Sequence, residues 1–310
     1  MAGFWNMLHL MFKSTASVRH RLMALSNVAG VSYFILMTVT GPWTGFVFVL
    51  PALYGSTLST YLIHNFIAFF LFINVIGNYI LAYTTSSDLE QFYRLSKLKT
   101  MKQANNKTVH CKKCDLIVPP RCHHCPLCDL CVLKRDHHCS FMATCIGYRN
   151  HGYFLCFCFY TFFASTYSCI HLLQYLILHQ NVVINDVMDM MIFGPGAILF
   201  GQTSGIKQPS SFMVLVGLFY GCFGSGIVSG GFFIWHLYTV SRGLTTYEAR
   251  KNCYNYCEPQ KWKENLLDIL GPRWYHEHLL ANSCTSQYSK VHAFHFHEWS
   301  QWTQKTYKQF

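Results

Sequence analysis

The residues best suited to chemistry lie within residues 110–145, which hold eight of the chain's fifteen cysteines and five of its seventeen histidines. Cys111 with Cys114, and Cys125 with Cys128, have the two-residue spacing at which a tight turn presents two thiolates to one metal ion. The spacing leaves open which of the further donors bind metal: Cys131, Cys145, His123, His124, His137 and His138. This supply suffices for two structural zinc ions with donors to spare, and a segment this short needs metal to fold.

The sequence on either side of this segment has the composition of a membrane protein. Hydrophobic residues make up 52% of the chain and charged residues only 12%, which is abnormal for a soluble protein. Residues 22–87 contain no Asp, Glu, Lys or Arg, and one span needs about 20 apolar residues, so this run predicts two membrane helices. Buried helices of a soluble core are the alternative, but four uncharged runs exceed what a globular interior needs. The predicted spans lie near 31–53, 61–83, 153–178 and 212–238.

The distribution of basic residues predicts which side of the membrane each segment faces. Lys and Arg number three before the first span, eleven in residues 84–152 and nine after the fourth span, against one between the third and fourth spans. By the positive-inside rule, both termini and the cysteine-rich segment lie in the cytosol, where thiols stay reduced and metal binding is favoured over disulfides. The net charge of +11 follows from this topology and does not indicate a nucleic-acid partner.

The predicted fold class is an all-α polytopic membrane protein with four transmembrane helices. A cytosolic zinc-binding cysteine-rich domain lies between the second and third helices, and no internal repeat is evident. The predicted segments are a cytosolic N-terminal lead (1–30), transmembrane helices 1 and 2 (31–83), the cysteine-rich domain (84–152), transmembrane helices 3 and 4 with a lumenal loop at 179–211 (153–238), and a cytosolic C-terminal tail (239–310).

The cysteine-rich segment contains a characteristic set of residues: Cys111, Cys114, Pro119, Arg121, His124, Cys125, Cys128, Cys131, Asp136, His137, His138, Cys139, Cys145, Gly147 and Asn150. This pattern resembles the cysteine-rich domain of the DHHC family of protein S-acyltransferases, the palmitoyltransferases. The tetrapeptide TTYE at residues 245–248, which follows the fourth span, is similar to the TTxE motif of the same family. A capped helix start explains this tetrapeptide equally well.

The resemblance implies a ligand assignment that the spacing leaves open. Each zinc would have three cysteines and one histidine, a closed set that suits a structural role and leaves no position for Lewis-acid chemistry. The first set would be Cys111, Cys114, His124 and Cys131, and the second Cys125, Cys128, His138 and Cys145. Cys139 is then a cysteine without a metal, beside the spare His137.

A free thiol next to an imidazole can act as a nucleophile, because the imidazole accepts the thiol proton. The expected catalytic residues are Cys139 as nucleophile, His137 as base and Asp136 as the group that orients His137. The resemblance implies transfer of a long-chain acyl group from palmitoyl-CoA to Cys139 and then to a cysteine of a client protein. The expected partners are acyl-CoA, the lipid bilayer and client proteins with membrane-proximal cytosolic cysteines, and the expected location is an endomembrane, the Golgi or the endoplasmic reticulum.

Two residues of the tail carry supporting roles by resemblance. Thr246 would hydrogen-bond toward Asp136, and Asn265 would have a structural role. A basic cytosolic rim that includes Lys134 and Arg135 is where the phosphates of CoA would lie, although plain positive-inside charge explains these two residues as well.

The chain departs from the family pattern around the expected nucleophile. Ser140, Phe141 and Thr144 stand where the family usually has Pro, Trp and Asn, and residues 84–88 (TTSSD) lack the Asp-Pro-Gly motif expected after the second span. These departures keep a second function open, namely a catalytically weak, zinc-built membrane scaffold that binds client proteins.

Overall fold

The computed structural model describes residues 18–91, 109–179, 210–255 and 257–271. In these residues, four helices are long and apolar enough to cross a membrane, which confirms the predicted number of spans and the place of the cysteine-rich segment between the second and third. The four candidate spans are Arg21–Tyr54, Leu58–Thr84, His151–His179 and Phe212–Ser241.

The first span contains a change of helical winding. Helix α1 is Val18–Thr44, a π-helical segment covers Gly45–Val49, and α2 is Leu50–Tyr54. Pro51 accounts for the wider turn that precedes it, because proline has no N–H to donate and its ring displaces the preceding turn. The helix starts earlier than the predicted residue 31 because the uncharged run begins well before that point.

The other three spans begin and end within a few residues of the predicted bounds, as helices α3 (Leu58–Thr84), α4 (His151–His179) and α5 (Ser210–Ser241). Two short helices follow, α6 (Thr246–Arg250) and α7 (Trp262–Leu270), with a 3₁₀ turn at Pro259–Lys261. The greater part of the predicted lead, lumenal loop and tail lies outside the described residues, at 1–17, 180–209 and 272–310.

The chain divides into two compact units. The first, here the site unit, takes its described residues from Met1–Val31, Gly77–Cys156 and Trp235–Phe310; the second, here the bundle unit, consists of Ser32–Ile76 and Phe157–Ile234.

The bundle unit is held by apolar packing between helices. Leu172 and Leu176 of α4 belong to one buried cluster with Val216 and Phe219 of α5. Other large apolar side chains remain exposed, among them Phe66 at 70%. Exposed apolar surface of this kind is costly in water and suits a helix face that contacts lipid.

The site unit contains three antiparallel two-stranded hairpins. Because of these hairpins, the all-α prediction holds for the spans and fails for the cysteine-rich segment. In the first two hairpins the physical reason is that a cysteine pair at two-residue spacing closes a tight turn between short strands, and the third hairpin has the same register without the second cysteine. The strands are β1 (Val109–Cys111) with β2 (Leu116–Val118), β3 (His123–Cys125) with β4 (Leu130–Val132), and β5 (His137–Cys139) with β6 (Thr144–Ile146).

Candidate active site and metal centres

The three hairpins repeat one pattern every fourteen residues. Cys111, Cys125 and Cys139 each end the first strand of a hairpin and pair with the first residue of the second strand. The turn in each hairpin contains a residue with left-handed backbone, at φ 51°, 53° and 49°: Asp115, Asp129 and Ala143. The expectation of no internal repeat is therefore wrong, because short ligand-bearing turns repeat their cysteines rather than a hydrophobic pattern.

Two groups of donors in the repeat can each hold a metal ion, with ligand atoms that all lie within 4.8 Å of one another. Each group takes a cysteine pair from one hairpin and completes it with a histidine and a cysteine from the next hairpin. The first group is Cys111, Cys114, His124 and Cys131, and the second is Cys125, Cys128, His138 and Cys145. The structure thus brings together both ligand sets that the resemblance implied.

The distances in the second group fit one tetrahedral ion. His138 Nδ1 lies 3.8, 3.3 and 3.7 Å from the sulfurs of Cys125, Cys128 and Cys145, and the Cys128 and Cys145 sulfurs are 3.6 Å apart. Zinc bonds of about 2.3 Å to sulfur and about 2.0 Å to nitrogen place tetrahedral ligands about 3.5–3.8 Å apart. The donor set therefore has both the chemistry and the spacing of a closed Cys₃His site.

A side chain from α1 fixes the ring of His138. The Nε2 of His138 lies 3.2 Å from Asn27 Oδ1, and Asn27 is 3% exposed. Because a carbonyl oxygen can only accept, Nε2 carries the hydrogen and Nδ1 presents its lone pair to the sulfurs. Hydrogen bonds of this kind orient metal-binding histidines. Asn27 has no local signal in the sequence, because it lies more than one hundred residues before its partner.

Strand β5 directs its two histidines to opposite faces. Side chains alternate along a strand, so His138 points toward the second metal group while His137 and Cys139 share the other face. Cys139 lies outside both groups, two residues after His137 on the same face of the strand. An ion that holds His138 would therefore set the thiol and the imidazole side by side.

Asp136 holds the far side of His137. Its Oδ2 accepts a 2.7 Å hydrogen bond from His137 Nδ1, and its Oδ1 accepts a 2.7 Å hydrogen bond from the backbone N–H of Thr246. The Asp136 carboxylate is fully buried. The expected contact between Thr246 and Asp136 is thus present, and it is made by the main chain of Thr246.

The electrostatic environment favours a charged Asp136 carboxylate and a protonated His137 imidazole. Burial by itself raises the pKa of Asp136, but the His151 imidazole, the hydrogen bond from His137 and the His236 imidazole outweigh burial and hold that pKa well below its ordinary value. Burial by itself lowers the pKa of His137, but the hydrogen bond to Asp136 and the neighbouring Cys139 sulfur raise it to about 9. A proton on His137 is therefore stabilised as an imidazolium beside the Asp136 carboxylate.

The TTYE tetrapeptide forms the start of α6 and fixes it to the hairpins. Thr245 and Glu248 form a capping box, each side chain bonded to the backbone N–H of the other residue. Both Glu248 oxygens also accept hydrogen bonds of 2.6 Å from the guanidinium of Arg121, and this ion pair is buried. The capping and the functional interpretation of TTYE are therefore compatible, because the cap places the Thr246 N–H against Asp136.

Comparisons with known proteins agree with this geometry. A model of the DHHC palmitoyltransferase family matches residues 104–253. The palmitoyltransferase ZDHHC22 of Danio rerio is 30% identical over 276 residues, which cover 81% of this chain and 89% of that protein. The chain belongs to the DHHC palmitoyltransferase family. The proteins of the same name in Mus musculus and Homo sapiens are 27% and 26% identical over 257 residues, 81% of this chain and 91% of each relative.

As a DHHC family member the chain is a protein S-palmitoyltransferase, an enzyme class that uses acyl-CoA and protein substrates at a membrane. Its departures from the family pattern surround Cys139. Thr144 is the cross-strand partner of Cys139. The carbonyl of Phe141 accepts a 3.2 Å hydrogen bond from the hydroxyl of Tyr79. A side chain at Gly30 would meet the Ser140 carbonyl at 2.9 Å, so α1 packs closely against this turn.

Asn150 is a structural residue of the DHHC segment whose role the sequence did not reveal. It is fully buried, and its amide donates to the carbonyls of Ala82 and Cys145 at 2.9 and 3.0 Å. Its side-chain oxygen accepts from the Gly147 N–H at 2.9 Å and from the Ser87 hydroxyl at 3.2 Å. Asn150 thereby ties the end of α3 to the last hairpin. Ser87, which lies in the segment where the Asp-Pro-Gly motif was expected, contributes one of these hydrogen bonds.

The remaining residues singled out in the sequence have structural contacts. Asn265 donates to the carbonyls of Ser241 and Glu258, both at 2.9 Å, which ties α7 to the end of α5. Lys134 makes a 2.7 Å ion pair with Asp268, and Arg135 lies over the ring of Tyr247. These contacts give Lys134 an ion-pairing role and Arg135 a packing role within the site unit.

Proposed function

We propose that this enzyme transfers a long-chain acyl group in two steps through Cys139. The observation that carries the proposal is the position of Cys139: it occupies the hairpin position of a metal-binding cysteine, lies outside both donor groups, and shares a strand face with His137. Asp136 completes the group through its 2.7 Å hydrogen bond to His137. Nucleophile, base and orienting carboxylate are the parts that covalent acyl transfer needs.

The first step forms the acyl-enzyme. His137 takes the thiol proton, the Cys139 sulfur bonds to the thioester carbon of palmitoyl-CoA, the bond from that carbon to the CoA sulfur breaks, and the CoA thiolate receives the proton. In the second step a client cysteine loses its proton and attacks the new thioester, and Cys139 regains a proton as it leaves. One thioester is exchanged for another in each step, so no further energy source is required.

Zinc is the proposed ion in both Cys₃His groups. It would supply crosslinks between successive hairpins, and it has no open ligand position in a closed set of four protein donors. Its effect on catalysis is positional, because His138 and Cys145 belong to the hairpin that carries Cys139.

The proposed setting is a cytosol-facing site on an endomembrane, the Golgi or the endoplasmic reticulum, with both termini in the cytosol. The support is the excess of Lys and Arg in the lead, the cysteine-rich segment and the tail. An acyl chain gains about 0.8 kcal/mol for each buried CH₂, so the lipid-facing helices are the favourable place for it. The proposed clients are proteins with cysteines close to the membrane surface.

The deciding experiment incubates the purified full chain with labelled palmitoyl-CoA. We expect hydroxylamine-sensitive label on the wild type and none on Cys139→Ser. Cys253→Ser is the matched control, because Cys253 is an exposed cysteine outside both donor groups, and it should label like the wild type. Equal labelling of wild type and Cys139→Ser would reject Cys139 as the acceptor, and absence of label on both would favour the scaffold function.

A further inference from the structure

Two buried histidines lie behind the Asp136 carboxylate, and the proposed acyl transfer gives them no role. His236, near the end of α5, and His151, at the start of α4, are each 1% exposed. His236 Nδ1 lies 3.6 Å from Asp136 Oδ2 and 3.1 Å from His151 Nε2. Burial of two imidazoles costs free energy unless their nitrogens are satisfied, so this arrangement calls for an explanation.

The hydrogen positions follow from the neighbours. A lone pair on His236 Nδ1 would face the oxygen of a charged carboxylate and be repelled by it, whereas an N–H there is attracted. His236 Nδ1 therefore carries the hydrogen, and His151 Nε2 accepts it at 3.1 Å. His236 Nδ1 is 3.6 Å from Asp136 Oδ2, so it acts on the carboxylate by charge, while Oδ2 accepts its hydrogen bond from His137.

The rings themselves are held by one aromatic side chain. Phe154 packs edge-on against His137, with centroids 5.1 Å apart at 67°, and against His236, with centroids 5.0 Å apart at 76°. The two imidazole centroids are 5.3 Å apart. His236 and His137 are thus placed on either side of the carboxylate by a shared contact as well as by the charge of Asp136.

Two consecutive residues of α5 act on the Asp136 carboxylate, His236 directly and Trp235 through Thr246. Trp235 Nε1 donates to the hydroxyl of Thr246 at 3.1 Å, and the N–H of Thr246 binds Oδ1. His236 lies at Oδ2. Rotation of the carboxylate would break one side or the other, so the end of α5 fixes its plane.

We propose that His236, supported by His151, is a positioning residue for acyl transfer: it fixes the Asp136 carboxylate and so keeps the His137 ring aligned with Cys139. This inference rests on the proposed function of Cys139 and adds residues from α4 and α5 to its site. His236 makes no contact with substrate in this role. It acts only through Asp136 and His137.

Paired substitutions at residue 236 separate a hydrogen-bonding role from a packing role. His236→Asn keeps an amide N–H near the position of Nδ1 and loses volume, whereas His236→Leu keeps volume and loses the donor. We expect His236→Leu to lower kcat for acyl-enzyme formation by roughly tenfold to a hundredfold, with KM for palmitoyl-CoA unchanged, and His236→Asn to recover most of the rate. Wild-type kcat in His236→Leu, or a larger loss in His236→Asn, would overturn the proposal.

A second pair tests the supporting histidine. His151→Gln keeps a polar group near the position of Nε2, and His151→Leu does not, so we expect the rate to fall less in His151→Gln. Metal content and melting temperature of each variant identify any that fails to fold. Absence of Cys139-dependent label on the wild type would overturn the proposed function and this inference with it, whereas normal wild-type labelling with equal rates in both pairs would overturn this inference alone.

Discussion

Hairpins β3–β4 and β5–β6 have the same register, yet the cysteine that ends the first strand belongs to a metal group in β3–β4 and not in β5–β6. Cys125 pairs with Leu130, and Cys139 pairs with Thr144 at the equivalent position. Three residues on from Cys125 the chain has Cys128, whereas three residues on from Cys139 it has Met142, which is fully buried. The second cysteine of the pair is therefore missing in the last hairpin.

The last hairpin also has no successor. The first two cysteine pairs are each completed by a histidine and a cysteine from the following hairpin, but after β6 the chain turns into α4 at His151. Because Cys139 lies in the last hairpin of the repeat, no following hairpin supplies the histidine and cysteine that would complete a metal group with it. The position of Cys139 therefore needs no backbone different from that of the other hairpins, because the repeat continues for one hairpin beyond its last cysteine pair.

The largest effect should come from comparing substitutions at Cys128 and Met142, which occupy equivalent positions in the two hairpins. Cys128→Ser removes a ligand from the second group, and structural zinc contributes on the order of 10 kcal/mol to folding in small metal domains. We expect loss of one bound zinc, of thermal stability and of the acyl-enzyme, measured by elemental analysis, melting temperature and label. Met142→Leu conserves volume, should cost under about 1.5 kcal/mol, and should retain both ions. Loss of an ion in Met142→Leu would contradict the comparison.

A smaller effect is expected from Asp136→Asn. The amide keeps the shape of the carboxylate but presents a donor and removes the charge, so His137 loses its correct tautomer. By analogy with other triads we expect acyl-enzyme formation to slow by about 10³–10⁴-fold with both metal ions retained. Asp115→Asn, at an exposed turn residue of the first hairpin that faces His110 and no metal donor, is the control and should label at the wild-type rate. Metal loss in Asp136→Asn would indicate a structural role instead.

The smallest effect should follow from Asn27→Leu. This change removes the acceptor for His138 Nε2–H, and loss of such an orienting group typically costs 10–100-fold in metal affinity. Competition with a chelator should therefore extract one ion from Asn27→Leu at a lower chelator concentration than from the wild type, while the other ion is unaffected. Equal extraction of both ions would show that α1 does not orient His138.

The sequence predicts the parts of this site that have a local signature. Uncharged runs mark the spans, paired cysteines mark the metal groups, and resemblance separates Cys139 from the ligands. The fourteen-residue repeat was also present in the sequence, but its last copy is obscured because Met142 replaces the expected cysteine.

Other parts could not be predicted, because they depend on contacts that leave no pattern in the sequence. His151 and His236 are isolated histidines in apolar helices and meet across 85 positions. Thr246 contacts Asp136 through its backbone N–H, and a backbone contact cannot be inferred from the type of side chain. Asn27 is one polar residue in a long helix, and its role appears only when α1 is packed against the last hairpin.

The shared ligation of successive hairpins has a consequence for biosynthesis. Every residue of the two donor groups precedes residue 146, and α4 begins at His151. A nascent chain can therefore bind the proposed metal ions while its third and fourth helices are still in the ribosome or the translocon. The order of synthesis allows the hairpin that carries Cys139, the proposed nucleophile, to form before the second pair of helices enters the bilayer.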